Sequence, residues 1–212
     1  MNIQMGLMWL FSVLPAIVIS CMYRFLPQSI VIHWNIDGSI SYGDKRLLWI
    51  LAVIPVLLAI YFVVLPKTSS KKSNLAKFNN EYYALAVSVM IFMLGVTVMV
   101  ILKSFDIEIL SFPNIICFCL AILFAITGSI MLKNRNEVFI EIKNRWTKKD
   151  DLVWQKTNRL GGKMCILGGL MQAVAAIFTK DIILFYIVFS TVIISALVPN
   201  VMSYIWYRKY HK

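Results

Sequence analysis

Six separated runs of apolar residues dominate this 212-residue chain, and each is long enough to cross a bilayer as a helix. Lipid offers the backbone no hydrogen-bond partner, so a spanning segment must satisfy itself internally, which takes about 20 predominantly apolar residues. The runs are Met5 to Tyr23, Leu47 to Leu65, Tyr83 to Leu102, Phe112 to Leu132, Leu160 to Phe178 and Ile182 to Trp206. The fifth opens on Gly161-Gly162-Lys163, which requires Lys163 to sit at the interface with its ammonium reaching water. The sixth carries Pro199-Asn200 near its end, where a kink is expected. Only 15% of the residues are charged, against about 25% in soluble domains. The predicted fold is an all-α, polytopic six-helix transmembrane bundle. The first run lacks a basic flank and a small-residue cleavage site, so it reads as a retained helix.

Charge supplies a direction. Cytoplasmic connections of membrane proteins carry the Lys and Arg excess. Sixteen of the 21 basic residues fall on one side: Lys67, Lys71, Lys72 and Lys77 between helices two and three; Lys133, Arg135, Lys143, Arg145, Lys148, Lys149, Lys156, Arg159 and Lys163 between four and five; and Arg208, Lys209 and Lys212 in the tail. Arg24, Lys45, Arg46, Lys103 and Lys180 fall on the other. The chain is therefore expected in a membrane with both termini and the two basic loops in the cytoplasm. Acidic residues divide evenly, so the whole net charge of +11 lies on that inner side. Its expected partner is the anionic inner leaflet. Direct nucleic-acid binding is not expected, because the cations are dispersed among apolar runs instead of forming one basic face.

Two connections are too long to be turns, and they organise the chain into residues 1–65, 66–132 and 133–212. In the outer one, Ile30, Ile32, Trp34 and Ile36 alternate with Val31, His33, Asn35 and Asp37, predicting a short extended segment that ends in the Asp37-Gly38 turn. In the inner one, Val138 to Ile142 precede a helix start, where Thr147 followed by Asp150 resembles a capping box. The residues after it, through Trp154 and Leu160, mix cations with large apolar groups as an interface-lying helix does. With Phe139, Trp146 and Trp154, this basic loop is expected to be folded, either as an aromatic anchor at the interface or as a docking site for a protein.

Catalytic patterns are missing. The chain has no His-Glu-x-x-His pair, no Gly-x-Ser-x-Gly elbow and no Gly-rich phosphate loop. Neither catalytic nor metal-ligating residues are assigned, no cofactor is expected, and the protein reads as a non-enzyme. Cys21, Cys117, Cys119 and Cys165 all lie in apolar runs and read as buried, inert thiols. No helix carries a charge at its centre, which removes the usual mark of an ion-coupled transporter. Thr97, Thr127, Ser129, Gln172 and Asn200 are expected to join helices by hydrogen bonds, and the Gly161-Gly162 and Gly168-Gly169 pairs suit close helix packing.

The two long connections carry a resemblance. Leu26-Pro27 through Ile30-Val31-Ile32-His33-Trp34-Asn35, then Gly38, Tyr42-Gly43 and Lys45, resembles the Leu-Pro-x-x-Ile-Pro-x-His-Trp-Asn-x-x-Gly motif of a bacterial membrane domain of unknown function. That domain forms the front half of SdpI-family immunity proteins. Trp146-Thr147, followed by Val153-Trp154-Gln155-Lys156-Thr157-Asn158-Arg159-Leu160-Gly161-Gly162-Lys163, is similar to the same family's second motif. The chain departs from the family at Val31, where proline is usual, near Ser41, where an acid is usual, at Glu141 to Arg145 in place of Gly-Ile-Arg-Thr-Pro, and at Asn158, often histidine. It reads as a divergent member.

The resemblance implies a membrane immunity protein that protects its cell against a secreted peptide toxin. It also implies a receptor role, in which the toxin-engaged protein holds a small cytoplasmic helix-turn-helix autorepressor at the membrane. On that reading Pro27, His33, Trp34, Asn35, Gly38 and Lys45 face the toxin. Trp146, Thr147, Trp154, Lys156, Thr157, Asn158, Arg159, Gly161, Gly162 and Lys163 face the cytoplasmic partner. The alternative is a small transporter or export accessory for a peptide or lipid-like compound, marked by protection that vanishes with the proton gradient.

Overall fold

The computed structural model describes residues 3–34, 39–68, 79–107, 112–133, 140–179 and 181–211. Among them are six helices long and apolar enough to cross a membrane. In chain order they are α1 (Ile3–Met22), α2 (Leu48–Thr68), α3 (Asn79–Ser104), α4 (Phe112–Lys133), α5 (Asp151–Phe178) and α6 (Asp181–Tyr210). Between α1 and α2 stands an antiparallel hairpin of β1 (Ser29–Trp34) and β2 (Ile40–Asp44), followed by a short 3-10 turn, Lys45–Leu47. The fold is thus a transmembrane six-helix bundle with one small β element.

Helix α1 packs against α2 and α3, and α5 packs against α4 and α6; contacts between α3 and α4 join the two groups. At one end Ile19, Leu26, Ile30, Leu48, Ala52, Val100 and Ile101 form a core that seats the hairpin on α1, α2 and α3. Towards the opposite end Met8, Ala59, Tyr82, Tyr83, Ala86 and Met90 fill the same three-helix group, and the Tyr82 hydroxyl donates to the Phe62 carbonyl at 2.9 Å. Large apolar side chains such as Leu57, Leu170, Phe189 and Val201 point outward, as expected where lipid is the solvent.

Helix α4 meets α5 backbone to backbone. A Cβ built on Gly162 would stand 2.9 Å from the Gly128 carbonyl oxygen, and one on Gly169 would stand 2.7 Å from that of Ala121. Gly168 turns instead towards Thr191 and Ser195 of α6. These glycines let the helices approach, because between helices in lipid close packing replaces the hydrophobic drive.

Several expectations are corrected. The residues after Thr147 form no separate interface-lying helix: α5 starts at Asp151 and runs unbroken for 28 residues. At 1.5 Å per residue it is about 42 Å long, so about two turns exceed a hydrocarbon core of about 30 Å. Its N-cap is Asp150, which accepts from the Leu152 and Val153 amides at 2.7 and 3.0 Å; Thr147 is not the cap. Helix α6 spans 30 residues with Pro199 inside it, so the site of the expected kink does not end the helix. The hydroxyls of Thr97 and Ser129 bond back to carbonyls of their own helices, because a hydroxyl four residues on lies nearest its own turn. Gln172 does link helices, donating to Thr191 of α6 at 2.5 Å. Cys117 is buried and Cys119 and Cys165 are partly so, whereas Cys21 lies on the exposed side of α1.

Candidate functional site

At the hairpin end the predicted alternation breaks. Val31 pairs with Tyr42 but His33 pairs with Ser41, leaving Ile32 as an extra residue in a β-bulge. A bulge re-aims the side chains next to it. Ile30 and Val31 are therefore both buried while Ile32 and His33 are both exposed. The Val31 amide donates to Ser104 of α3 at 3.4 Å, which ties the strand to the bundle. Pro27 is exposed, and Lys45 is half-buried with its ammonium 5.0 Å above the Tyr23 ring. Asp44 receives the Arg46 guanidinium at 2.8 Å and accepts the Arg46 amide, so these bonds hold its carboxyl down at about 2. The Trp34 backbone pairs with Ile40; its side chain, with Asn35 and Gly38, lies outside the described residues.

The opposite end is built around the loop before α5, described from Ile140. Asn144 is its centre. Its side-chain oxygen accepts the amides of Trp146 and Thr147, each at 3.0 Å, closing a tight turn, while its side-chain NH2 donates to Asn200 and Ser203 of α6, both at 2.8 Å. Thr147 accepts the Asn144 amide at 2.9 Å. Asn158 donates to the Trp154 carbonyl at 2.9 Å and accepts the Ile142 amide at 2.7 Å. The Trp154 indole N–H donates to the Glu141 carboxylate at 2.9 Å, and Lys143 pairs with the same carboxylate at 3.2 Å. Charge-assisted bonds of this kind are roughly twice as strong as neutral ones.

Aromatic rings cover this network. The Trp146 ring lies 5.0 Å from Tyr204 and 5.2 Å from Tyr207, and His211 stacks on Tyr207 at 4.3 Å with Nε2 3.7 Å from Asp150. Lys156 contacts the Tyr210 hydroxyl. Trp154 forms a cluster with Ile130 of α4, against which Leu85 of α3, Ile126 and Ile140 pack, so the cluster spans both halves of the bundle. Removing the Asp150 cap is expected to cost about 1 kcal/mol; Asp150→Ala should lower the thermal midpoint of the detergent-solubilised protein by a few degrees without changing its assembly.

This geometry divides the residues predicted to face a cytoplasmic partner. Thr147, Trp154, Thr157, Asn158, Gly161 and Gly162 are buried, with Thr157 0% and Asn158 3% exposed. Thr147, Asn158 and Trp154 bond to the loop, and Gly161 and Gly162 lie against Ile142 and α4. At Gly161 an added Cβ would meet the Ile142 side chain at 2.5 Å. Lys156, Arg159 and Lys163 are exposed, and Trp146 is half-buried against the Tyr204 and Tyr207 rings. The spacing of three and four puts the three cations on one face of α5.

Sequence reasoning does not single out Asn144, Glu141, Asn200, Ser203, Tyr204, Tyr207, Tyr210 or His211 as site residues. The last six carry a signal: at helical spacing they form one polar and aromatic stripe along the end of α6. Val138 and Phe139, and Lys71, Lys72 and Lys77 of the other basic loop, lie outside the described residues.

Comparison with known proteins fits this two-ended arrangement. Residues 133–203, which hold the folded loop, α5 and most of α6, match the SdpI/YfhL protein family, and residues 10–65, which hold the hairpin, match a domain of unknown function, DUF1648. The chain is 26% identical to the immunity protein SdpI of Bacillus subtilis (strain 168) over 191 residues, 89% of this chain and 88% of that protein. No solved structure matches. One model thus matches each half, and the immunity protein aligns along most of the length, so the similarity to SdpI-type membrane proteins covers both structured ends of the chain.

Proposed function

We propose that the protein is a non-enzymatic membrane immunity protein that protects its cell against a secreted antimicrobial peptide, with the hairpin outside and the termini and the folded loop in the cytoplasm. The similarity to an immunity protein along nearly the whole chain, covering both structured ends, carries this reading. The excess of basic residues around the loop supports the orientation. The finer proposal is that the loop end signals: the exposed cations Lys156, Arg159 and Lys163 on α5 dock a cytoplasmic autorepressor and so derepress its operon.

The test is expression in a toxin-sensitive strain challenged with any secreted peptide found encoded beside the gene, with a reporter for the gene's own promoter. Wild-type protein is expected to raise tolerance and activate the reporter. Arg159→Ala is expected to keep membrane abundance and tolerance but lose the reporter signal, because Arg159 is exposed and lies outside the buried loop contact. Unchanged sensitivity with wild-type protein refutes the immunity reading; an unchanged reporter in Arg159→Ala refutes the assigned docking face.

A further inference from the structure

The bulge that breaks the strand pattern also turns an apolar side chain outward. Ile32 is 47% exposed. It lies over Gly43, where an added Cβ would stand 2.9 Å from Ile32 Cδ1 and 3.3 Å from Leu47 Cδ1. Gly43 thus leaves room for Ile32 to approach Leu47, itself 43% exposed. Leu47 begins an outward row that continues through Trp49, Ile50, Val53 and Leu57 of α2. In a bundle that crosses a bilayer that row is the surface lipid covers. Ile32 therefore extends the lipid-facing surface of α2 upward onto the hairpin without a gap.

The polar groups around the patch fit the same level. The Tyr23 and Trp49 rings stand 5.6 Å apart, and the Lys45 ammonium lies over Tyr23. The Arg24 guanidinium lies 4.6 Å over the Phe25 ring. Aromatic rings with long cations beside them concentrate where hydrocarbon gives way to headgroups, since the ring and aliphatic stem favour the apolar side and the charge favours phosphate and water. The neighbouring acid, Asp44, is paired with Arg46 at 2.8 Å, so the patch presents no unpaired carboxylate from this position to the lipid phosphates.

We propose that this face of the hairpin, from Ile32 to Leu47, lies in the headgroup layer of the bilayer, making the hairpin a membrane-seated cap on α1 to α3 and not a free aqueous loop. This inference does not depend on the immunity reading. The test uses the full chain, wild type and Ile32→Ser, in liposomes of phosphatidylcholine and phosphatidylglycerol carrying a trace of phospholipid with a diazirine close to its headgroup. After illumination the adducts are mapped by peptide mass spectrometry. Ile32 and Leu47 are expected to be labelled at a level similar to Trp49 and several-fold above Lys149 in the opposite loop. Ile32→Ser is expected to lower labelling at position 32 and leave Trp49 unchanged. Labelling of Trp49 with none at Ile32 overturns the proposal, as that face is then open to water or covered by protein. A covalent dimer formed through Ile32 under a short photoreactive cross-linker overturns it too, by assigning the face to a second copy.

Discussion

Gly128→Val is expected to remove most of the folded protein from membranes and to lower the thermal midpoint of what remains more than any surface change does. A Cβ at Gly128 would stand 2.5 Å from the Gly162 carbonyl oxygen, 2.8 Å from Ile166 Cγ1 and 3.0 Å from Cys165 Cβ. The nearest of these is backbone and cannot rotate away. Relief requires α5 to move as a body, yet α5 is also held close at Gly169 against Ala121. Overpacking a well-filled site costs about 1 to 3 kcal/mol, and this backbone collision belongs at or above the top of that range. Gly95→Ala is the control: its added Cβ meets only the Cys119 sulfur, at 3.4 Å, and alanine is favoured over glycine inside a helix by about 0.5 to 1 kcal/mol. Thermal unfolding in detergent, followed by monodisperse elution, should place Gly95→Ala at or above wild type and Gly128→Val far below. Equal midpoints for Gly128→Val and wild type would refute the close α4–α5 contact.

Asn144→Ala is expected to open the loop while leaving the bundle intact. The side chain closes the turn through two amides and tethers it to α6 through two bonds from its NH2. Its removal leaves the Trp146 and Thr147 amides and the Asn200 and Ser203 oxygens without these partners. A loss of about 2 to 4 kcal/mol matches the usual cost of abandoned hydrogen bonds, which corresponds to about thirty-fold or more in the open population. Limited trypsin digestion reports that population when opening precedes cleavage. Cleavage at Lys143, Arg145, Lys148 and Lys149 should accelerate accordingly, with little change at Arg46. Asn144→Asp keeps the acceptor that closes the turn and loses the donors to α6, so it should fall between. If Asn144→Ala digests like wild type, the Asn144 side chain does not hold the turn, and the Thr147 and Asn158 bonds with the Trp146 stacking suffice.

The contrast between a helix contact and a loop hinge reflects what each level of structure reveals. The six spans are legible because lipid imposes a length and composition on every crossing, and single residues such as Pro199 do not overturn it. The ends are legible only in part. Thr147 and Asp150 both suit a cap, and choosing between them requires knowing that Asn144 already engages Thr147. Ile32 fits a buried row by strict alternation, and the bulge that exposes it is decided by β1 pairing with β2 and by Val31 reaching Ser104 on α3. Trp154, Thr157 and Asn158 stand out as a motif, but a motif does not distinguish residues that hold a loop from residues that offer a surface. The α6 stripe escapes sequence reasoning because its partners lie more than 50 residues away, as Asn144 does from Asn200.

The sequence by itself determined the bundle, its six crossings and the two ends where polar and aromatic residues gather, because hydropathy and charge act locally and add along the chain. The tertiary structure alone decided which of those residues are buried and which are presented. That choice depends on helices approaching at Gly128, Gly162 and Gly169 and on bonds from Asn144 and Asn158 to distant segments. Such contacts exist only once the chain has folded back on itself.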